Sequence, residues 1–125
     1  MARSRRRVLV VDDEDLVRRL LVEVLTDEGY ELRLAADGRA GLAVLRDWRP
    51  DAIVLEAELP DLGAAVFRGA QRRVTGGADV PVLLVGVLQP AELAALARSV
   101  GAAAWLTKPF DVDELVATVG RLTGR

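Results

Sequence analysis

The sequence predicts an α/β domain in which helices cover both faces of one parallel sheet. Short apolar runs alternate along the chain with amphipathic stretches at helical spacing, which is the order of repeated β-α units. The run from Val80 to Val85 is continuously apolar, as expected of a central strand buried on both faces. The 125 residues suffice for one domain with a single buried core.

Five strands and five helices are predicted in strict alternation. The strands are predicted at residues 7–12, 31–35, 51–56, 80–85 and 103–107. The helices are predicted at residues 15–28, 38–48, 64–74, 90–99 and 111–122. The short connections between them indicate a doubly wound, flavodoxin-like sheet. The domain is predicted to span residues 7–123 after a basic arm at residues 1–6, and no residues remain for a second domain.

In the first half of the chain, local signals place the ends of the elements. The first strand is an apolar run. The first helix repeats apolar residues every three or four positions until Gly29, a residue suited to end it. A short second strand follows. The second helix has an apolar face that reaches Trp48, and Pro50 stops it.

In the second half of the chain, loop residues and glycines separate the elements. The third strand is an apolar run closed by Glu56, and a Leu-Pro-Asp-Leu-Gly loop at residues 59–63 precedes the third helix. Gly76 and Gly77 indicate the turn before the fourth strand. An alanine-rich helix, a short strand and a last amphipathic helix complete the alternation.

Composition excludes several classes of function. The net charge is −2 and 51% of the residues are hydrophobic, so neither disorder nor a strong attraction to nucleic acid is indicated. The absence of cysteine excludes disulfides, and the absence of histidine excludes imidazole catalysis. No apolar stretch reaches the roughly 20 residues of a membrane helix. The N-terminus lacks the apolar core of a signal peptide, so we expect a cytoplasmic protein without membrane contact.

Polar residues are predicted to gather at one edge of the sheet. Asp12 and Asp13 end the first strand, Glu56 ends the third, Gly86 closes the fourth and Lys108 follows the fifth. The carboxyl ends of parallel strands form the natural ligand crevice of such a sheet, and a folding core alone would not require charges there. The alternative is that Asp12 and Asp13 merely cap the helix that follows.

Lys108 is the single lysine of a chain with 16 arginines. It therefore indicates a site that needs a compact ammonium rather than a planar guanidinium. Chance, or a plain structural counter-ion, is the alternative interpretation.

Three segments together resemble the receiver domain of two-component response regulators, and the resemblance covers nearly the whole chain. They are an apolar run followed by acids at residues 8–14, an apolar run closed by a carboxylate at residues 52–56, and an apolar run followed by a lysine at residues 104–110. The paired motifs at residues 12–14 and 108–110 are the most specific part of the resemblance.

The resemblance implies a role for each charged residue. Acids matching Asp12 and Asp13 help to hold a divalent ion, usually Mg²⁺, for which hard oxygen ligands are suited. An aspartate at the position of Glu56 accepts a phosphoryl group, and a lysine matching Lys108 pairs with that group or with the acids. Glu58 falls where the family offers a backbone carbonyl to the ion, so a metal site would include Asp12, Asp13, Glu56 and Glu58, with the Glu58 side chain either helping the cation or crowding it.

Two residues depart from the family's pattern. Glu56 replaces the aspartate, and its additional methylene shifts the carboxylate by more than about 1 Å, a misplacement that can slow a reaction about 100-fold. Gly86 stands where the family has a Thr or Ser whose hydroxyl binds the phosphoryl group and couples it to loop movement. The nucleophile and the switch are therefore both altered, and Gly86 leaves room for the longer side chain.

The favoured hypothesis is a signalling and interaction module, not an enzyme, that acts without phosphorylation. Glu56 would imitate a phosphate and, with Lys108, would hold the site in one state. One alternative is a working receiver that takes phosphate from a histidine kinase on Glu56 with Mg²⁺. Others are a small-ligand binder that uses the space at Gly86, and a degenerate site without bias.

A surface for output is predicted on the fourth helix, the fifth strand and the last helix, where the family commonly binds partners or dimerises. Gly86, Val87 and Leu88 form an unusually apolar switch loop. Trp105 stands where receivers often carry an aromatic that turns inward on activation, and a half-buried aromatic on an outer strand is the alternative. The alanine-rich helix favours apolar contact with a signalling protein, either a histidine kinase or a downstream output protein, or with a second copy in a homodimer. We expect a solvated basic arm and no sequence-specific DNA binding.

Overall fold

The computed structural model describes residues 5–76 and 79–125. Its strands are β1 (Arg7–Val11), β2 (Glu31–Ala35), β3 (Ala52–Glu56), β4 (Val82–Gly86) and β5 (Ala104–Thr107). Its helices are α1 (Asp15–Asp27), α2 (Gly38–Leu45), α3 (Ala64–Val74), α4 (Pro90–Val100) and α5 (Val112–Leu122). Gly77, predicted in the turn after α3, and residues 1–4 of the predicted basic arm lie outside the described residues.

The strands form one parallel sheet in the order β2-β1-β3-β4-β5. This order confirms the predicted doubly wound, flavodoxin-like fold, because the chain winds outward from β1 in both directions. The crevice of such a sheet lies beyond the carboxyl ends of the strands at the reversal point. There Val11 pairs with Leu55 across β1 and β3, so the residues that follow Val11 come close to the end of β3.

Helices pack on both faces of the sheet and bury two apolar clusters. Side chains of β1 alternate between them, as the pleat of a strand requires. Leu9 and Val11 join the cluster under α2, α3 and α4, while Val8 and Val10 join the cluster under α1 and α5. Every residue of β3 is buried, so Glu56 enters the site from the interior of the sheet.

Most elements match the predicted bounds to within one residue, and two differ by more than that. α2 ends at Leu45, three residues early, because the residue before Pro50 disfavours helical backbone and the chain must turn before it. Trp48 nevertheless lies in the core, as its apolar character predicted. β4 begins at Val82 because Pro81 has no N–H to donate to a neighbouring strand.

Candidate functional site

Backbone hydrogen bonds continue beyond the last residues of two strands and place polar side chains at one edge of the sheet. Asp12 N donates to Ala35 O at 3.0 Å, and Lys108 N donates to Gly86 O at 2.8 Å. Glu56 is itself the last residue of β3. The site is therefore attached to the sheet rather than to free loops, and the structure brings together the residues that the sequence placed at this edge.

Lys108 lies at the centre of the site and is surrounded by carboxylates. Its Nζ lies 2.5 Å from Glu56 Oε1, 2.9 Å from Asp12 Oδ2 and 2.6 Å from Glu14 Oε1. The side chains of Lys108 and Glu56 are each 7% exposed and that of Asp12 is 1% exposed, whereas Glu14 is 53% exposed. Three ion pairs, two of them buried, thus converge on one ammonium.

These contacts keep Lys108 charged. Burial by itself lowers the pKa of the Lys108 ammonium, but its contacts with Glu14, Glu56 and Asp12 outweigh burial and raise the pKa above its ordinary value. An ammonium has three N–H donors. Lys108 Nζ donates hydrogen bonds to Glu56 and Glu14, while Asp12 Oδ2 at 2.9 Å is an ion-pair contact without a hydrogen bond. Lys108 is therefore held by carboxylates of the protein itself.

The remaining oxygens of the two buried carboxylates accept backbone N–H groups. Glu58 N donates to Glu56 Oε2 at 2.9 Å, and Glu14 N donates to Asp12 Oδ1 at 2.9 Å. Buried charges are tolerated when they are paired and hydrogen-bonded, and both carboxylates meet that condition. Glu14 is the N-cap of α1 and its side chain makes no capping hydrogen bond, so the contact with Asp12 Oδ1 belongs to the turn before the helix.

Three carboxylates could share a cation at this edge. Asp12, Asp13 and Glu56 each offer an oxygen within 4.8 Å of the others, with Asp13 the exposed member. Such hard oxygen ligands fit the preference of Mg²⁺. The Lys108 ammonium already contacts two of the three, so a divalent ion would share them with a positive charge. Glu58 is exposed and, among the described residues, is not a member of this cluster, so its role as a ligand stays a prediction.

Gly86 is buried against the Glu56 carboxylate. A Cβ atom built at Gly86 would lie 3.1 Å from Ala57 Cβ, 3.3 Å from Glu56 Oε2 and 3.7 Å from Leu93. A side chain of any size would therefore crowd the oxygen that Glu58 N holds. The space that the sequence assigned to a ligand is already taken by Glu56 and Ala57, whereas the space needed for the longer carboxylate is present.

The predicted switch residues lie around the mouth of the site in different environments. Val87 is exposed, and Leu88 packs against the cluster under α2, α3 and α4. Trp105 is exposed, at 38%, on the outer strand β5, and its role in the switch stays a prediction. It borders a surface hollow of about 450 Å³ together with Phe110.

Glu14 is the site residue that sequence reasoning missed. Glu14 is the third acid of the run after β1, and the sequence pattern assigned it no role. In the structure its Oε1 lies 2.6 Å from Lys108 Nζ. A third consecutive acid beside the single lysine was the available signal. Arg18 Nη1 also donates to Asp12 O at 2.7 Å and ties α1 to this segment.

A parallel five-stranded sheet with acids after β1 and at the end of β3, and a lysine after β5, defines a class of signalling receiver. The sequence model of the response regulator receiver domain matches residues 8–120. The chain belongs to this family, whose members receive signals in two-component systems and act with histidine kinases and output domains.

Individual relatives agree with the family. The chain is 39% identical over 120 residues to the response regulator MprA of Mycolicibacterium vanbaalenii, covering 95% of this chain and 51% of that protein. It is 34% identical to the regulatory protein AtoC of Escherichia coli, covering 92% of this chain and 24% of that protein. The structure of chemotaxis protein CheY4 of Vibrio cholerae superimposes with a TM-score of 0.86 at 33% identity, covering 95% of this chain and 99% of that one.

The chain spans about half or less of the length of the curated relatives it matches. Within the described residues, no helix combines the length and apolar character needed to cross a membrane.

Proposed function

We propose that this receiver domain signals through protein contacts without a phosphorylation step, and that Glu56 holds its site in one state by pairing with Lys108. The observation that carries the proposal is the 2.5 Å contact between Glu56 Oε1 and Lys108 Nζ. In the family, a lysine at this position pairs with the phosphoryl group or with the acids. Here a carboxylate of the protein already holds it.

The hydrogen bonds and the burial of Glu56 together argue against its action as a nucleophile. Each carboxylate oxygen has two lone pairs, so a hydrogen bond at each oxygen does not by itself prevent attack on phosphorus, and access to the buried side chain matters as well. Oε1 of Glu56 accepts from Lys108 and Oε2 accepts from Glu58 N, and the side chain is 7% exposed. Breaking either contact leaves a buried charge short of a partner, which costs on the order of 1–3 kcal/mol before any chemistry begins.

The negative charge beside Lys108 approaches that of a phosphoryl group only when Glu14 is counted together with Glu56. Glu56 alone brings one negative charge, whereas a phosphoryl group brings nearly two. Glu14 adds a second carboxylate to the Lys108 ammonium from the start of α1. Together the two glutamates give Lys108 partners that a phosphorylated aspartate would otherwise provide.

Gly86 supports the same proposal from the neighbouring strand. The Cβ atom of a Thr or Ser at this position would lie 3.3 Å from Glu56 Oε2 and 3.1 Å from Ala57 Cβ, which is crowded contact. Glycine therefore permits the longer carboxylate and also removes the hydroxyl that would bind a phosphoryl group. The two departures from the family's pattern are explained as one compensated pair.

Mg²⁺ has a limited part in this proposal. Asp12, Asp13 and Glu56 are the residues that would hold it, and bound Mg²⁺ would supply positive charge to the acidic edge. Lys108 already supplies such charge to two of these residues. We therefore infer that the paired arrangement of Glu56 and Lys108 does not require the metal.

Output is proposed to occur through the surface formed by α4, β5 and α5. Trp105 and the hollow beside Phe110 lie on this surface, and Ala91 and Ala95 of α4 are exposed. A downstream output protein, a histidine kinase or a second copy could cover this apolar area. Lys108 follows β5 directly, so a change in its contacts occurs next to this surface.

A second candidate function is a receiver that accepts phosphate on Glu56. Membership of the family and the proximity of Asp12, Asp13 and Glu56 favour it. The two candidates differ in whether a covalent phosphoryl adduct forms.

Intact mass after incubation with Mg²⁺ and acetyl phosphate separates the two functions. We expect no adduct on the native chain and an adduct on the double variant Glu56→Asp/Gly86→Thr, which restores both family residues. A receiver with aspartate at this position serves as the positive control. An adduct on the native chain that disappears in Glu56→Gln would overturn the proposal and establish the second candidate.

A further inference from the structure

The strand β2 forms one edge of the sheet, and its outer side has no neighbouring strand. Among the described residues it pairs with β1 alone. Glu31 N donates to Arg6 O at 2.9 Å, so Glu31 directs its backbone groups toward β1. Because this direction alternates along a strand, Leu32 and Leu34 direct their N–H and C=O groups away from the sheet. Such an edge is a template for pairing with another strand.

The side chains of β2 carry opposite charges two residues apart. Glu31 and Arg33 lie on the face of the sheet that meets Trp48. Trp48 Nε1 donates to Glu31 Oε1 at 3.4 Å, and the guanidinium carbon of Arg33 lies 5.5 Å from the centre of the Trp48 ring. The Glu31 side chain is 40% exposed, and Arg33 is exposed. On the opposite face Leu34 is also 40% exposed. The edge therefore presents one acid, one base and one uncovered leucine.

We propose that two copies of this chain associate by antiparallel pairing of β2, with the two-fold axis at Leu32. In this register Leu32 of each copy exchanges backbone hydrogen bonds with Leu32 of the other, as its outward groups require. Glu31 of each copy then lies directly opposite Arg33 of the other, which gives two cross-strand pairs of opposite charge. Such pairs stabilise an antiparallel contact.

Other two-fold registers fit less well. An axis at Glu31 or at Arg33 would place like charges directly opposite each other, which is unfavourable. An axis at Leu34 would leave Arg33 opposite Ala35 and without a charged partner. An axis between two residues would set outward-directed backbone groups against groups directed toward β1. The strand is thus complementary to itself in one register, which favours a second copy as the occupant of the edge.

The proposed contact is separate from the surface assigned to output. β2 and β5 are the two opposite edges of the sheet, so pairing through β2 leaves the surface formed by α4, β5 and α5 uncovered. The inference therefore does not depend on the state of Glu56. One strand on each side gives a small contact, and we expect a reversible dimer that forms at high protein concentration.

Charge reversal on the full chain tests the inference, with self-association measured by analytical ultracentrifugation over a series of concentrations. Glu31→Arg and Arg33→Glu should each weaken the dimer by about tenfold or more, because each turns two opposite-charge pairs into two like-charge pairs. The double variant Glu31→Arg/Arg33→Glu exchanges the charges and should restore the native affinity.

A mixture of the two single variants is the sharper measurement. One variant has two positive charges at these positions and the other has two negative charges, so the mixture should form a heterodimer at about the native affinity. Mixing cannot repair a folding defect, such as one caused by the lost contact with Trp48. Glu23→Arg and Arg19→Glu make the same changes of net charge at exposed positions of α1 and should leave self-association unchanged.

Amide hydrogen exchange reports on the backbone contact. Exchange at Leu32, whose N–H would be bonded to the second copy, should slow as the protein concentration rises, whereas exchange at Arg33, directed toward β1, should change less. A native chain that stays monomeric, single variants that associate like the native chain, or a mixture without heterodimer would overturn the inference. Self-association through α4, β5 and α5 would leave both reversals without effect and would overturn it as well.

Discussion

Two buried cations, Lys108 and Arg68, lie at opposite edges of the sheet and are held in different ways. Lys108 follows β5 at the carboxyl edge and contacts three carboxylates. Arg68 of α3 reaches the amino edge, where it donates to Val80 O at 2.6 Å, Gly101 O at 3.3 Å and Gln71 Oε1 at 2.8 Å. Its acidic partner among the described residues, Asp79, is 85% exposed.

The pKa of each cation follows from its partners. Burial lowers the pKa of the Arg68 guanidinium, the charge of Arg72 lowers it further, and Asp79 acts in the opposite direction. At Lys108 the hydrogen bonds to acids outweigh burial and the pKa is raised. A buried cation among neutral acceptors joins elements of the fold, here α3 to the segments before β4 and β5. A buried cation among surplus acids controls the charge of a site.

Removal of the lysine should produce the largest effect. Lys108→Met leaves Asp12 and Glu56 buried without their common counter-ion, which is expected to destabilise the domain by about 3–5 kcal/mol. Because Asp12, Asp13 and Glu56 suit a divalent ion, Mg²⁺ should restore part of that loss by binding the folded state. Urea unfolding with and without Mg²⁺ measures both effects.

The native chain is the reference for that experiment. Its stability should change little with Mg²⁺, because Lys108 already occupies the position of the missing charge. If the metal stabilised the native chain as much as Lys108→Met, the ammonium and the ion would not compete, and the role assigned to Lys108 would be wrong.

Removal of the arginine should have a smaller effect of a different kind. Arg68→Met leaves the carbonyls of Val80 and Gly101 without this donor, at an expected loss of about 2–3 kcal/mol. No acidic cluster is exposed by the change, so Mg²⁺ should not restore stability. A response to Mg²⁺ in this variant would mean that the metal acts elsewhere in the chain and would remove the contrast between the two edges.

The sequence predicted the carboxyl edge better than the amino edge for a physical reason. Asp12, Glu56 and Lys108 each interrupt or follow an apolar run, so strand direction alone brings them together. Arg68 is one of 16 arginines, and its burial depends on how α3 packs across the ends of other elements.

Side-chain contacts within the site were less predictable. Glu14 and Lys108 are 94 residues apart in the chain, and their contact depends on how α1 begins. The sequence suggested that Gly86 leaves room for Glu56. How close Gly86 lies to Glu56 Oε2, however, depends on the side-chain rotamer of Glu56, which the sequence does not specify. The early end of α2 was encoded by Pro50, although the apolar periodicity continued to Trp48.

A methyl group at Gly86 should destabilise the carboxyl edge of the sheet by crowding Glu56. Gly86→Ala places an atom 3.3 Å from Glu56 Oε2 and 3.1 Å from Ala57 Cβ, with an expected loss of about 1–2 kcal/mol. In a Glu56→Asp background the shorter side chain withdraws the carboxylate oxygen from Gly86. The loss of stability caused by Gly86→Ala should then be smaller by about 1 kcal/mol, and this difference is the coupling energy between the two neighbouring positions. Urea unfolding of the four proteins measures the coupling, and additive effects would show that the two positions do not fit each other as a pair.

Loss of one charge at Glu56 should have the smallest effect on stability and a specific effect on the neighbouring surface. Glu56→Gln keeps the volume of the side chain but removes one of the three carboxylates around Lys108. It also relieves repulsion among the acids, so the two contributions to the free energy of unfolding largely cancel.

Lys108 lies three residues after Trp105, and the weaker pair between the substituted side chain and Lys108 should loosen the end of β5. Fluorescence in a Trp48→Phe background reports Trp105 alone, with Glu23→Gln on α1 as the control for an exposed charge away from this surface. An unchanged Trp105 environment together with unchanged partner affinity would exclude Glu56 as an imitation of phosphate, because the state of the site would then have no consequence at the surface.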